Sequence, residues 1–183
     1  MGEPLSPAPP GVLGEPTEPG GRGTGRLADV LEGAGSYARA MELEDLPTIE
    51  LAFPGPLRDS GVAAILEGRK TAMTGLLEIY EHSGEAVPEA GQRFAVLDSD
   101  GRPAVVIELV EVRVIPMKEI DDDYVRAEGR GYADAAEWRA MHEEFFQSEG
   151  VSAFLGHTPV IDDGTLVVAE RFRVVEPGGP GRS

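Results

Sequence analysis

No cysteine occurs in the 183 residues, which excludes disulfides, thiol nucleophiles and thiolate metal sites at once. Lysine is almost as scarce. Lys70 and Lys118 stand against 14 arginines, so a cation wanted only for surface charge is an arginine, and a lysine is a candidate for chemistry; codon bias toward Arg, Gly, Ala and Pro is the competing explanation. The three histidines, His82, His142 and His157, share no metal-ligand spacing, so no metal and no cofactor is expected. No run approaches the ~20 apolar residues of a membrane span. The opening MGEPLSPAPP has neither the basic head nor the apolar run of a secretory leader, and the expectation is a cytoplasmic protein with no membrane partner. The motifs GxxxxGK[ST], HExxH and GxSxG are absent, and with them the signatures of P-loop, zincin and α/β-hydrolase chemistry. Positive charge is short overall: a formal net charge of -17 repels polyanions and counts against non-specific binding to long nucleic acid. Screening over ~8 Å still permits a local cationic pocket that holds one phosphate or one nucleoside.

The chain is long enough for one domain with a proper core. Of the first 25 residues 13 are Gly or Pro, without a repeat period, so 1–25 is expected to be a disordered tail, and 177–183 (PGGPGRS) another. Between them come an N-terminal helical extension, 26–48, and the domain proper, 49–176. Leu27 to Met41 has helical spacing broken by Gly33 and Gly35, which predicts a short or interrupted helix. Ile49 to Phe53 alternates as a strand and is stopped by PGP. RDSGVAAILEG then reads as a helix of about three turns, with Asp59 or Ser60 as N-cap and Gly68 as the stop. RFAVL and PAVVIELVEVRVIPM form two β segments joined at DSDG, an Asp-Gly hairpin signal. An acidic helical stretch from Lys118 to Glu128 and a clearer helix from Asp134 to Glu149 follow, the latter with Trp138, Met141, His142 and Phe145 near one face. LVVAERFRVV closes as a strand. Sequential hairpin partners interrupted by helices predict an α+β fold around a small β-barrel or curled sheet.

Each candidate site residue has a plain reading beside the functional one. Arg69 and Lys70 fall just past a helix carboxyl end, where unpaired carbonyls favour a cation by ~0.3 to 1 kcal/mol. The DDD run at 121 to 123 suits a helix start for the same electrostatic reason. In EGRG, 128 to 131, two glycines open the backbone around one acid and one base, which fits close approach of a ligand or a simple turn. Trp138, the one tryptophan, is expected in the core, with His142 as a satisfied core histidine one turn later.

The string GRKTAMTGLLEIYEHSGEAVPEAGQRFAVLDSDGRPAVVIELVEVRVIPM, then AEGRGYADAAEWRAMHEEFF, then VVAERFRVV, resembles the ASCH domain of the PUA-like β-barrel superfamily, over about Ile49 to Glu176. A GxKT segment, a DxxG hairpin, an EGxG loop, a WRxxH helix and a terminal ERFxVV strand occur in the family's order. The resemblance implies a small barrel flanked by helices, with a cleft between the GRKT segment and the EGRG loop that receives RNA, a nucleotide or a modified nucleoside. It also implies that a relative's chemistry is at hand: some hydrolyse the acetyl amide of acetylcytidine with a lysine, a threonine three positions on and a glutamate, and others are reported as ribonucleases. Carried over by motif, the lysine is Lys70, the glutamate is Glu128, and the threonine position falls on Met73, which has no hydroxyl. Thr74 is the fallback hydroxyl. A binding cleft would use Arg69, Thr71 and Arg130 beside these, with Arg69 or Arg130 on a phosphate. The alternatives are an amidohydrolase of acetylcytidine with a modified site and a structural or partner-binding domain without catalysis.

Overall fold

The computed structural model describes residues 46–175 and the two-residue strand Leu13–Gly14. The helix expected over Leu27 to Met41 and nearly all of the expected tails and extension lie outside the described residues. Six strands, β1 (Leu13–Gly14), β2 (Thr48–Ile49), β3 (Ala72–Leu76), β4 (Arg93–Leu97), β5 (Pro103–Pro116) and β6 (Leu166–Val175), form one sheet in the order β1-β2-β4-β5-β6-β3. Among the described residues five α-helices accompany it: α1 (Pro56–Leu66), α2 (Leu77–Ser83), α3 (Asp122–Ala127), α4 (Ala135–Phe146) and α5 (Glu149–Leu155).

The α+β expectation holds, and the closed barrel does not. All pairings are antiparallel except β2 with β4, and the outermost strands, β1 and β3, do not pair, so the sheet is open. The 14-residue β5 is its spine: the first part pairs with β4, and nearly its whole length pairs with β6, across a bulge between Leu109 and Glu111. On the far side β2 offers β4 only two residues. The strand expected over Ile49 to Phe53 ends at Ile49 because the chain is captured there by Arg58. Its buried guanidinium donates from Nε to the Ala52 carbonyl at 2.8 Å and pairs with Glu50 at 2.8 Å, so that carbonyl is unavailable to a ladder.

Local signals account for most element ends. Helix α1 starts earlier than expected, with Gly55 as cap and Pro56 at its first position, where the missing N–H costs nothing. It stops at Gly68, whose φ of 74° is left-handed. The DSDG turn joins β4 to β5 as expected, with the Asp98 side chain accepting from the Asp100 and Arg102 amides at 2.9 Å. The expected helix over Asp134 to Glu149 is two: α4 ends at Phe146, and Ser148 caps α5. Two apolar clusters flank the sheet. One joins Tyr124, Trp138, Phe146 and Val151 to Ala72, Leu76 and Val167; the other joins Val62 and Ile65 of α1 to Met73, Phe94, Ile107 and Phe172.

Candidate functional site

Where the GRKT segment meets the EGRG loop, the contact is backbone on backbone. Past α1, the Arg69 and Lys70 amides both donate to the Ala64 carbonyl, and the Thr71 amide donates to the Ala127 carbonyl at 2.7 Å. Gly129 sits at φ 65°, and a Cβ there would lie 2.8 Å from the Lys70 Cα. The glycine is required by this approach of the chain to itself.

The register of β3 then sets the side chains. Lys70, Ala72 and Thr74 share a parity along the extended chain, and Met73 has the opposite one. Met73 packs in the α1-side cluster, while Thr74 Oγ1 lies 2.6 Å from Glu128 Oε1. Trp138 Nε1 donates to the same oxygen at 2.9 Å. Lys70 Nζ donates to the Glu128 carbonyl at 3.3 Å and stands 3.8 Å from Oε2. Glu128 Oε2 thus has a cation nearby and, among the described residues, no hydrogen bond. Lys70 and Glu128 are 3% and 2% exposed, and an ammonium with three donors uses one of them on protein at hydrogen-bond range.

Helix α3 holds the strand end in place. The Tyr124 hydroxyl donates to the Met73 carbonyl and accepts from the Glu170 amide at 3.0 Å, and Met73 and Glu170 are opposite one another in the β3–β6 ladder. It therefore bridges two groups whose residues face across the sheet. His142 stacks on Trp138 at 4.1 Å between centroids, its Nδ1 3.0 Å from the Trp138 carbonyl. Nδ1 carries the proton toward that oxygen, so Nε2, 3.5 Å from Glu128 Oε1, has a lone pair facing a carboxylate until the ring is protonated.

Burial and charge act against each other here. Burial lowers Lys70 to about 8, the Glu128 charge resisting. Burial pushes Glu128 up, but the Lys70 cation and the hydrogen bonds from Thr74 and Trp138 outweigh it and hold the carboxyl below its ordinary range. Burial also lowers His142, which keeps the ring neutral.

These groups line an open cleft of about 130 Å³. Lys70, Thr74, Glu128 and Glu170 belong to its polar lining, Leu57, Tyr132, Met141 and Phe145 to its walls, and Arg130 is also in the lining. Arg130 donates to the Leu57 carbonyl and to Ser60, both at 3.1 Å, and Gly61 leaves the space its guanidinium occupies. The structure thus brings Lys70, Thr74, Glu128 and Arg130 together. It does not bring Arg69 or Thr71: Arg69 pairs with Glu67 in the open and donates to the Gly129 carbonyl, and Thr71 faces the Ala127 carbonyl. Both tie the loop down from outside the cleft. Lys118 lies elsewhere, its amide on the Asp163 carbonyl. Asp121 caps α3 by accepting from the Tyr124 amide at 2.8 Å, so the DDD run has its plain role. His82 meets Phe154 edge to face and His157 pairs with Glu78.

Sequence reasoning missed Tyr80, Tyr124 and Glu170. Glu170 is 1% exposed, and Tyr80 donates to its Oε1 at 3.4 Å. A signal existed, since Glu170 interrupts the apolar run LVVA in a strand buried on both faces. Gly75 on the neighbouring β3 is a second one: a Cβ there would come within 2.9 Å of the Tyr80 ring.

A model of the ASCH domain family matches residues 51–176. Among solved structures, a crystal structure of an ASCH domain from Lactobacillus crispatus JV V101 is 30% identical, over 64% of this chain and 71% of that one, with a TM-score of 0.55. A crystal structure of a protein from Enterococcus faecalis V583 is 27% identical, over 82% of this chain and 90% of that one, with a TM-score of 0.63. No curated protein matches. The matched residues 51–176 carry the GRKT segment, the EGRG loop and the strand that holds Glu170, and on that ground the chain belongs to the ASCH domain family.

Proposed function

We propose that this ASCH domain binds the base of a nucleoside, a nucleotide or a short RNA in the cleft between Lys70 and Glu128. The observation that carries the reading is a pair of opposite charges, each nearly fully buried, with unused hydrogen-bonding capacity at the floor of an open cleft. Desolvating two charges costs several kcal/mol per ion, and an apolar pair is often as stable, so a pair 3.8 Å apart with free donors and acceptors is better accounted for by a ligand than by stability. Size fits the reading. An apolar cavity of about 150 Å³ admits benzene, so the cleft suits one flat heteroaromatic ring. Glu128 Oε2 accepts from an exocyclic amine, Lys70 donates to a carbonyl, and Tyr132 and Phe145 offer faces for stacking. Arg130 supplies the cation for a phosphate, which the -17 total does not prevent at short range.

Trp138, the single tryptophan, donates to Glu128 and is a built-in reporter. Cytidine, N4-acetylcytidine and a short single-stranded RNA are titrated against its fluorescence, in the native protein and in Lys70→Met, with thermal unfolding as a check of folding. Saturable change weakened about tenfold or more in Lys70→Met is expected, the loss of one charge-assisted hydrogen bond of ~1.5 to 3 kcal/mol. A tryptophan signal indifferent to all three ligands would sink the reading.

A second reading, hydrolysis of the acyl amide of an acetylated cytidine, is favoured by the 2.6 Å contact between Thr74 Oγ1 and Glu128. Glu128 takes the hydroxyl proton as Oγ1 attacks the acyl carbon, and the Lys70 cation stabilises the oxyanion. The C–N bond breaks, the amine leaves with the proton, and water then hydrolyses the threonine ester to acetate. Acetate release lost in Thr74→Val with cytidine affinity kept within about threefold is the expected result. Release that persists in Thr74→Val refutes the threonine route.

A further inference from the structure

Glu170 is the buried carboxyl, among the described residues, that neither reading uses. It lies in the cleft lining, on β6 directly across the sheet from Met73. Tyr80 of α2 donates to Oε1 at 3.4 Å, and Oε2 has no hydrogen-bond partner among the described residues. No cation comes within ion-pair range of it there. The Lys70 ammonium is on Glu128, and Arg171, next along the strand, is turned to Glu111 and Asp123. The remaining polar neighbour, the Tyr124 hydroxyl of α3, engages the Glu170 backbone and not the carboxyl. A carboxylate this buried, with one weak donor and no ion pair, is strongly disfavoured against the neutral acid.

We propose that Glu170, backed by Tyr80, is a specificity-determining residue that presents a neutral carboxyl to the ligand, its O–H donating to a carbonyl oxygen or an unprotonated ring nitrogen. The proposal rests on the nucleobase reading of the cleft and adds a selection rule to it. Burial pushes the Glu170 carboxyl up to about 8, in agreement with the geometry. The floor then has three poles: a cation at Lys70, an anion at Glu128 and a neutral acid at Glu170. A heteroaromatic base with an exocyclic amine and two acceptors, as in the cytosine class, satisfies all three. A hydrocarbon ring satisfies none, and leaving the O–H unpaired opposes its binding.

The test has a spectroscopic arm that needs no ligand. The infrared spectrum of the native protein at pH 7, less that of Glu170→Gln, is expected to contain the carbonyl band of a protonated carboxylic acid. Only ionised carboxylate bands in that difference overturn the proposal and leave the cleft reading standing. In the binding arm, cytidine affinity at pH 7 is measured for the native protein, Glu170→Gln and Glu170→Leu. Glutamine keeps a neutral donor, so affinity within about threefold is expected there, against a loss of about tenfold or more in the leucine variant. Native-like affinity in Glu170→Leu overturns the selection rule even with the protonated band present. A native protein that ignores cytidine, N4-acetylcytidine and RNA fails the cleft reading itself, and the ligand assignment falls with it.

Discussion

Lys70 and Glu170 are displaced in opposite directions to the same pH, which gives the folded state an unusual titration. Burial lowers Lys70 from 10.5 to about 8 and raises Glu170 from 4.5 to about 8. Between pH 4.5 and 8 Glu170 is protonated in the folded chain and ionised in the unfolded one, so the folded state binds more protons and stability falls as pH rises. Between pH 8 and 10.5 the order reverses: the unfolded chain keeps the Lys70 proton that the folded chain has lost, and stability rises with pH. The contribution of this pair therefore passes through a minimum near pH 8. At ~1.36 kcal/mol per pH unit the falling limb amounts to roughly 5 kcal/mol and the rising limb to roughly 3, each taken on a nearly fully buried group. Denaturant unfolding of the native protein and Glu170→Gln from pH 5 to 10 measures the minimum. The difference between the two curves isolates the falling limb, since glutamine does not titrate. Parallel curves from pH 5 to 8 would refute the neutral-acid state of Glu170 and the burial argument behind it.

Gly129→Ala combines a left-handed φ of 65° with a Cβ inside contact distance of the Arg69 and Lys70 backbone. A loss of more than about 2 kcal/mol by denaturant unfolding is expected, because neither neighbour is a flexible side-chain end. A cost below 1 kcal/mol would mean that the two segments are not held together as described. Asp121→Ala removes the α3 cap and is expected to cost about 1 kcal/mol. Its thermal midpoint is expected to respond to added calcium no differently from that of the native protein; a cation-dependent difference would contradict the capping role.

The parts legible in the sequence were those whose cause is local. The β4–β5 hairpin follows from Asp98 and Gly101, the last strand from an apolar run, α4 from its cap and period, and each lies where its residues placed it. The extent of β2 was not legible, because it is decided by Arg58, six residues beyond the carbonyl it captures. Nor was the open edge of the sheet, which depends on how little strand β2 offers. At the site, motif spacing fell on Met73 and left Thr74 only as a fallback, whereas the period of the strand favours Thr74. The period prevailed, since four residues on from Lys70 returns to the same face and three does not. Arg69 and Thr71 were included for nearness in sequence to Lys70, and the same alternation turns both away. Glu170 is separated from Lys70 by 100 positions, so only its oddity within an apolar strand announced it.

Tyr124 and Glu128 complete the logic of the site. They stand four residues apart at the end of α3, one turn of helix, and so share a face. The Tyr124 hydroxyl, bridging Met73 and Glu170, fixes that face against the open edge of the β3–β6 pair, and the next turn brings Glu128 to Lys70, Thr74 and Trp138. One short helix thus supplies both the wedge that docks it and the carboxylate that the docking positions. The six-residue helix is too short to be stable alone, which gives the aspartate run before it a purpose: Asp121 satisfies the first-turn amide and Asp122 the Ala135 amide at the start of α4. The acidity of that stretch serves the placement of Glu128 from a distance, without any of those three aspartates entering the cleft.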